Sequence, residues 1–176
     1  MKAGDAVVLD TSALFPALFD SGSAGRKVLR GVLAACCRLA LSQELRKEYM
    51  KVIQKGGHPA APLERRLRQI ESIPGKLTPP IDISCEADAC YPTSPGDHHV
   101  VATAICAART QGSSVVVARN DKHFLRDQIL GYLQERNVEP MSVGDAADKA
   151  GELPQRFPLP PALGWLEGSG TGPTAR

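Results

Sequence analysis

The sequence predicts an α/β fold, a three-layer α/β/α sandwich on a central parallel sheet. Two observations predict it. Short Val- and Leu-containing runs recur at Val7–Leu9, Arg38–Leu41, Val115–Ala118 and Val138–Ser142. Between them lie longer stretches whose apolar residues return every three or four positions, the period of a helix with one buried face. Strands that alternate with helices pair in parallel and are covered on both faces. A chain of 176 residues is sized for one such domain.

Each element follows from local chemistry. Val7–Leu9 is a buried strand by its wholly apolar content. Ala13–Phe19 reads as an apolar helical turn, with Pro16 tolerated only in its first turn. Ser21–Gly25 is a hinge or cap. Arg26–Cys37 sets Val28, Leu29, Val32, Leu33 and Cys36 on one helical face. Arg38–Leu41 is the second strand. Ser42 is an N-cap for an amphipathic helix over Gln43–Gln54, ended by Gly56 and Gly57. Ala61–Ile73 is a further helix, with Pro62 near its start. A turn-rich connection, Pro74–Ser84, leads to an acidic piece. Thr93 or Ser94 caps the next helix, with Pro95 in its first turn and a stripe of Val100, Val101, Ala104, Ile105 and Ala108. Gln111–Ser114 breaks that helix before the strand Val115–Ala118. Turn and helix follow, then the strand Val138–Ser142 and a short helix over Val143–Gly151. Beyond Gly151 the chain turns Pro- and Gly-rich. Residues 1–150 are therefore assigned to the domain and 151–176 to a partly disordered tail, which Phe157 and Trp165 are suited to dock.

Composition excludes several classes. The hydrophobic share of 43% and charged share of 23% are those of an ordinary globular protein. A net charge of +2 advertises no global affinity for nucleic acid. Basic residues cluster in Leu45–Lys55 and Leu63–Arg68. They read as solvated helix faces, with phosphate contact as the alternative. No apolar run approaches the ~18 residues that span a bilayer, and no signal-peptide pattern opens the chain. A cytoplasmic protein without membrane association is expected. The 5 cysteines are odd in number and contain no C-x-x-C pair, so neither a disulfide framework nor a zinc site is indicated.

The chemistry lies in the acids. In an open parallel sheet, ligands bind beyond the carboxyl ends of the strands. Asp10 follows the first strand and Asp121 the third. Asp97 lies in the first turn after Pro95, and Glu48 lies on the helix after the second strand. Singly, each has a structural explanation as a helix cap or a surface charge. Together they fall on one edge of the expected sheet. Carboxylates gathered there repel, and must either hold protons or recruit a cation. Oxygen ligands alone suit Mg²⁺ or Mn²⁺, which can activate a water and neutralise a phosphodiester.

In these positions the chain resembles the PIN-domain nucleases, from about Ala6 to Ser142. VVLDTSALF resembles the first family motif, a strand, an Asp and an adjacent hydroxyl. LSQELRKEYMKVI resembles the second, a serine with an acid six residues later, which selects Glu48 over Glu44. DHHVVATAICAARTQGSSVVVARNDKHF resembles the third and fourth together. The resemblance implies Asp10, Glu48, Asp97 and Asp121 as catalytic metal ligands. Ser12, or alternatively Thr11, would support the first metal or the scissile phosphate. Asn120 takes the polar position before the fourth acid. Arg119, Lys122 and His123 would contact phosphate, with solvated charge as the alternative. The ARND sequence departs from the usual Thr-x-Asp form, which makes Asp127 a reserve for the fourth acid. His98 and His99 are expected to pack rather than ligate.

The resemblance further implies a Mg²⁺- or Mn²⁺-dependent endoribonuclease that leaves 5′-phosphate and 3′-hydroxyl ends. Many small members are toxins of type II toxin–antitoxin pairs, homodimeric and held by a protein antitoxin. The alternative is a catalytically weak PIN-like module for RNA binding or partner assembly. A phosphatase of the haloacid dehalogenase type would want an Asp where Ser12 stands.

Overall fold

The computed structural model describes residues 1–55, 60–79, 81–86, 91–119, 124 and 126–167, with the side chains of residues 53, 85 and 127 left aside. The chain forms a four-stranded, all-parallel sheet in the order β2-β1-β3-β4. The strands are β1 (Ala6–Leu9), β2 (Arg38–Leu39), β3 (Ser114–Ala118) and β4 (Val138–Ser142). Every residue of β1 and β3 is buried, as central strands covered on both faces must be. Pro140 pairs with Val116 in β4, where an edge strand tolerates the missing N–H.

Helices α1 (Thr11–Phe19), α2 (Ala24–Ala34) and α7 (Val143–Glu152) pack on one another and on one face of the sheet. Helix α5 (His98–Gln111) packs on β1 and β3, with α3 (Gln43–Lys55) against it and α6 (Asp127–Gln134) against β4. Right-handed crossovers place these on the opposite face, which gives the three-layer sandwich. Helix α4 (Ala60–Glu71) packs on α3 and buries Leu63, Leu67 and Ile70. Two glycines permit the close helix contacts. A Cβ on Gly31 would stand 2.6 Å from that of Ala150, and one on Gly25 2.4 Å from the Ala13 carbonyl oxygen.

Several sequence expectations need correction. The strand expected over Arg38–Leu41 is shorter. After the Ala40 N–H donates to the Val7 carbonyl, the chain leaves the ladder so that Ser42 can cap α3. Helix α1 begins at Thr11, because the Asp10 side chain caps it. Pro16 therefore sits in the helix interior, where it cannot donate to the Ser12 carbonyl. Burial of Ala13, Leu14, Ala17 and Leu18 holds the helix despite that loss.

The final helix runs to Glu152, past the assigned domain end, and the Pro-rich stretch then folds back. The Arg156 and Phe157 N–H groups both donate to the Ala34 carbonyl. Leu163 and Leu166, on a 3₁₀ turn over Pro161–Leu166, enter the core. Trp165 is held between two guanidinium groups, Arg26 at 5.6 Å and Arg66 at 4.9 Å from its ring centre, and its Nε1 donates to Gln69. Phe157 stays exposed, under the Lys76 ammonium at 3.8 Å. Residues 168–176 of the expected tail lie outside the described part. Among the described residues no helix is long and apolar enough to cross a membrane.

Candidate active site

The connections from β1 and β3 leave the sheet in opposite directions, toward β2 and β4. The crevice beyond the carboxyl ends of β1 and β3 is thus the topological switch point, where such sheets take their ligands. Asp10 stands there. Its N–H donates to the Val117 carbonyl at 2.8 Å, extending the β1–β3 ladder by one residue and fixing the aspartate at the sheet edge. Its Oδ2 accepts from the Ser12 N–H at 2.9 Å and from the Ser12 hydroxyl. Ser12 Oγ accepts in turn from the Arg119 N–H at 3.0 Å. One hydroxyl therefore ties the end of β1 to the exit of β3. Asp10 Oδ1 accepts no hydrogen bond among the described residues.

Glu48 reaches the same edge from α3, which is pinned twice. Ser42 Oγ accepts from the Leu45 N–H at 3.1 Å and lies 2.8 Å from Thr103 Oγ1 of α5, so the expected cap is also a tie between helices. One turn later the buried Tyr49 hydroxyl donates to the Leu9 carbonyl, the last residue of β1. Between these anchors Glu48 is half-buried, and its Oε2 is enclosed with no hydrogen-bond partner among the described residues. Burial raises its pKa, and the charges of Asp10 and Asp97 raise it further, against an opposing pull from Lys51.

Asp97 enters from the 3₁₀ turn Pro95–Asp97 that opens α5. Ser94 takes the N-cap position with Pro95 after it, as expected, but its hydroxyl and that of Thr93 serve the aspartate. The Thr93 and Ser94 hydroxyls donate to Asp97 Oδ2 at 3.2 and 2.5 Å, and Ser94 makes no side-chain bond to the backbone as a cap. Hydroxyls satisfy an acid that would otherwise compete for the helix N–H groups.

Three of the four expected acids, Asp10, Glu48 and Asp97, are thus brought within electrostatic reach of one another. Asp121 lies outside the described residues, as do Asn120, Lys122 and His123. The Asp127 backbone begins α6. Among the described residues no group of three or more His, Cys, Asp and Glu side chains that could hold a metal ion is present. Thr11 Oγ1 is buried without a partner among the described residues, while the Ser12 hydroxyl bonds Asp10 and the Arg119 N–H. Arg119 is exposed and contributes its backbone N–H. His98 packs edge-on to Tyr91, 5.2 Å between ring centres, and His99 faces a cleft beside Glu48.

The fit to a cation rests on Glu48. An enclosed carboxylate oxygen with no donor is costly, and neighbouring acids push its carboxyl toward the protonated form. A hard divalent ion removes both penalties, and the unengaged Asp10 Oδ1 is of the right donor type.

Tyr49 and Thr103 are positioning residues that sequence reasoning missed. Their one visible signal is apolar-face spacing, Tyr49 four residues after Leu45 and Thr103 within the stripe of α5. Fold and site together define a parallel α/β domain with an acid-lined switch point. Comparison of the chain with protein-family models, with curated proteins and with solved structures finds no match.

Proposed function

We propose that this protein is a Mg²⁺- or Mn²⁺-dependent endoribonuclease of the PIN-like kind, hydrolysing RNA phosphodiester bonds. The observation that carries the reading is Glu48. It is an acid with an enclosed oxygen that has no partner among the described residues, beside two further acids, at the switch point of a parallel sheet.

Asp10, Glu48, Asp97 and Asp121 would together hold the ion, as the motif resemblance implies; the first three do not form such a group by themselves. A bound divalent ion supplies positive charge that acidifies a water and offsets charge on the phosphodiester. The chain's own part is preparation. Ser12 orients Asp10 by donating to Oδ2, so that Oδ1 is left for a ligand. Thr93 and Ser94 orient Asp97 by donating to its Oδ2. Tyr49 and Ser42 keep Glu48 at the sheet edge. The resemblance extends the proposal to a cytoplasmic toxin that forms a homodimer and is held by a protein antitoxin.

The test is cleavage of a mixed single-stranded RNA panel in Mn²⁺. Activity is expected in Mn²⁺ and lost both in EDTA and in Asp10→Asn. The loss in Asp10→Asn should exceed about 100-fold, since even residues that only support a metal ligand cost 10–100-fold. Cleavage that survives both EDTA and Asp10→Asn overturns the assignment. Divalent-ion binding without cleavage of any RNA would favour the binding-module alternative.

A further inference from the structure

Helix α3 carries Lys47, Lys51 and Lys55 at four-residue spacing, one above the other on one face and about 6 Å apart along the axis. All three are exposed. They form one wall of an open cleft of about 550 Å³ that also takes in Glu44, Glu48 and His99. Pro95 and Gly96, the two residues before Asp97, line it as well. Of the candidate acids, Glu48 lines this cleft itself.

The charges on this helix fall in rows. Opposite charges stand three residues apart, Glu44 with Lys47 and Glu48 with Lys51, a spacing that supports a helix. Like charges stand four apart, Glu44 before Glu48, and Lys47, Lys51 and Lys55 in succession. Each like-charge step destabilises an isolated helix. None of the three lysines is in a hydrogen bond or ion pair among the described residues, whereas Arg46 of the same helix pairs with Glu71 at 3.1 Å. Two adjacent rows of opposite sign make sense when each meets an external ligand, a cation on the acidic row and a polyanion on the basic row.

From this geometry we propose that the lysine row is a track for single-stranded RNA, neutralising successive phosphates and leading one phosphodiester to Glu48. The inference rests on the nuclease reading and names its substrate form. The cleft volume is that of a site for a drug-sized ligand, enough for one or two nucleotides. Val52, 41% exposed, and Pro95 give the cleft apolar surface against which a base can lie.

The experiment measures binding of a fluorescein-labelled, unstructured single-stranded RNA by anisotropy, in EDTA, over a series of KCl concentrations. Each phosphate neutralised on a single strand contributes about 0.7 to the slope of log K against log salt. Lys51→Gln should lower that slope by about 0.7 and the triple Lys47→Gln, Lys51→Gln, Lys55→Gln variant by about 2. Arg46→Gln should leave it unchanged, and the triple variant should keep the wild-type circular dichroism. A slope unaltered in the triple variant overturns the proposal, as does equal binding of a blunt RNA duplex of the same sequence. The EDTA condition keeps the two readings apart. Cleavage in Mn²⁺ with an unaltered slope sinks the track and leaves the nuclease. A lysine-dependent slope without cleavage under any metal sinks the nuclease and leaves an RNA-binding face.

Discussion

Asp5 and Glu48 are carboxylates near opposite ends of β1, and the chain treats them differently. Asp5 is 3% exposed. One of its oxygens accepts from the Lys2 N–H at 2.6 Å and the other from the Ser113 hydroxyl at 2.5 Å. Glu48 is less buried, yet its enclosed Oε2 has no donor among the described residues. Glu86, a third acid with little exposure, resembles Asp5: it accepts from the Tyr91 hydroxyl at 2.8 Å and pairs with Arg109 at 2.6 Å. Burial alone therefore does not mark a functional acid. What marks it is burial for which the fold supplies no partner, at the end of the sheet where ligands enter.

The largest effect on stability is expected from breaking the satisfied acid. Asp5→Ala strips the acceptor from a backbone amide and a hydroxyl and should cost about 3 kcal/mol in urea unfolding, since hydrogen bonds to charged groups carry ~1.5–3 kcal/mol each and their loss is partly relieved by water. RNA cleavage per folded molecule should not change. Glu48→Gln should do the reverse, abolishing cleavage at no cost in stability. A Glu48→Gln protein less stable than wild type at neutral pH would make Glu48 a structural acid like Asp5.

A smaller effect is expected at the joint that carries Glu48 to the edge. Tyr49→Phe keeps the ring and removes the donor to the Leu9 carbonyl, at a cost of about 1–2 kcal/mol. Helix α3 loses its tie to β1, so kcat should fall while the salt slope of RNA binding is kept. A variant with unaltered kcat would mean that packing alone sets the position of Glu48.

The sheet was legible because β1 and β3 contain short, wholly apolar runs between helical stretches, with β4 a weaker run that carries Glu139 and Pro140, and their order of appearance fixes which ends face the crevice. Asp10 was legible for the same reason, as an acid directly after a wholly apolar run. The second strand was not. Its end is set by Ser42, which both caps α3 and reaches Thr103 some 61 residues on, and periodicity carries no such information. Pro16 was misjudged because the start of α1 depends on the Asp10 side chain accepting from Ser12, a competition between strand and cap that composition does not decide. Thr93 and Ser94 have the residue types of caps, and only the nearby Asp97 turns their hydroxyls away from the backbone. The lysine row looked like ordinary solvated charge. It gains meaning only beside Pro95 and Gly96, which arrive from another part of the chain.

The smallest expected effect is the most specific to the contrast. Burial first, then Asp10 and Asp97, raise the Glu48 carboxyl above the ordinary glutamate value of 4.5, against the pull of Lys51. The folded protein thus holds this proton more tightly than the unfolded chain. The stability this gives is fully present below 4.5 and is lost as pH rises through the higher folded value. In EDTA, the Tm of wild type relative to Glu48→Gln should therefore fall across that window and level off above it. The change should be smaller than either of the others, because solvent screens a half-buried group. Saturating Mn²⁺ should raise wild type again at neutral pH by mass action and leave Glu48→Gln with the lesser gain. A Tm difference that stays flat with pH would mean that the enclosed oxygen of Glu48 is as well provided for as those of Asp5, and the contrast between the two ends of β1 would fail.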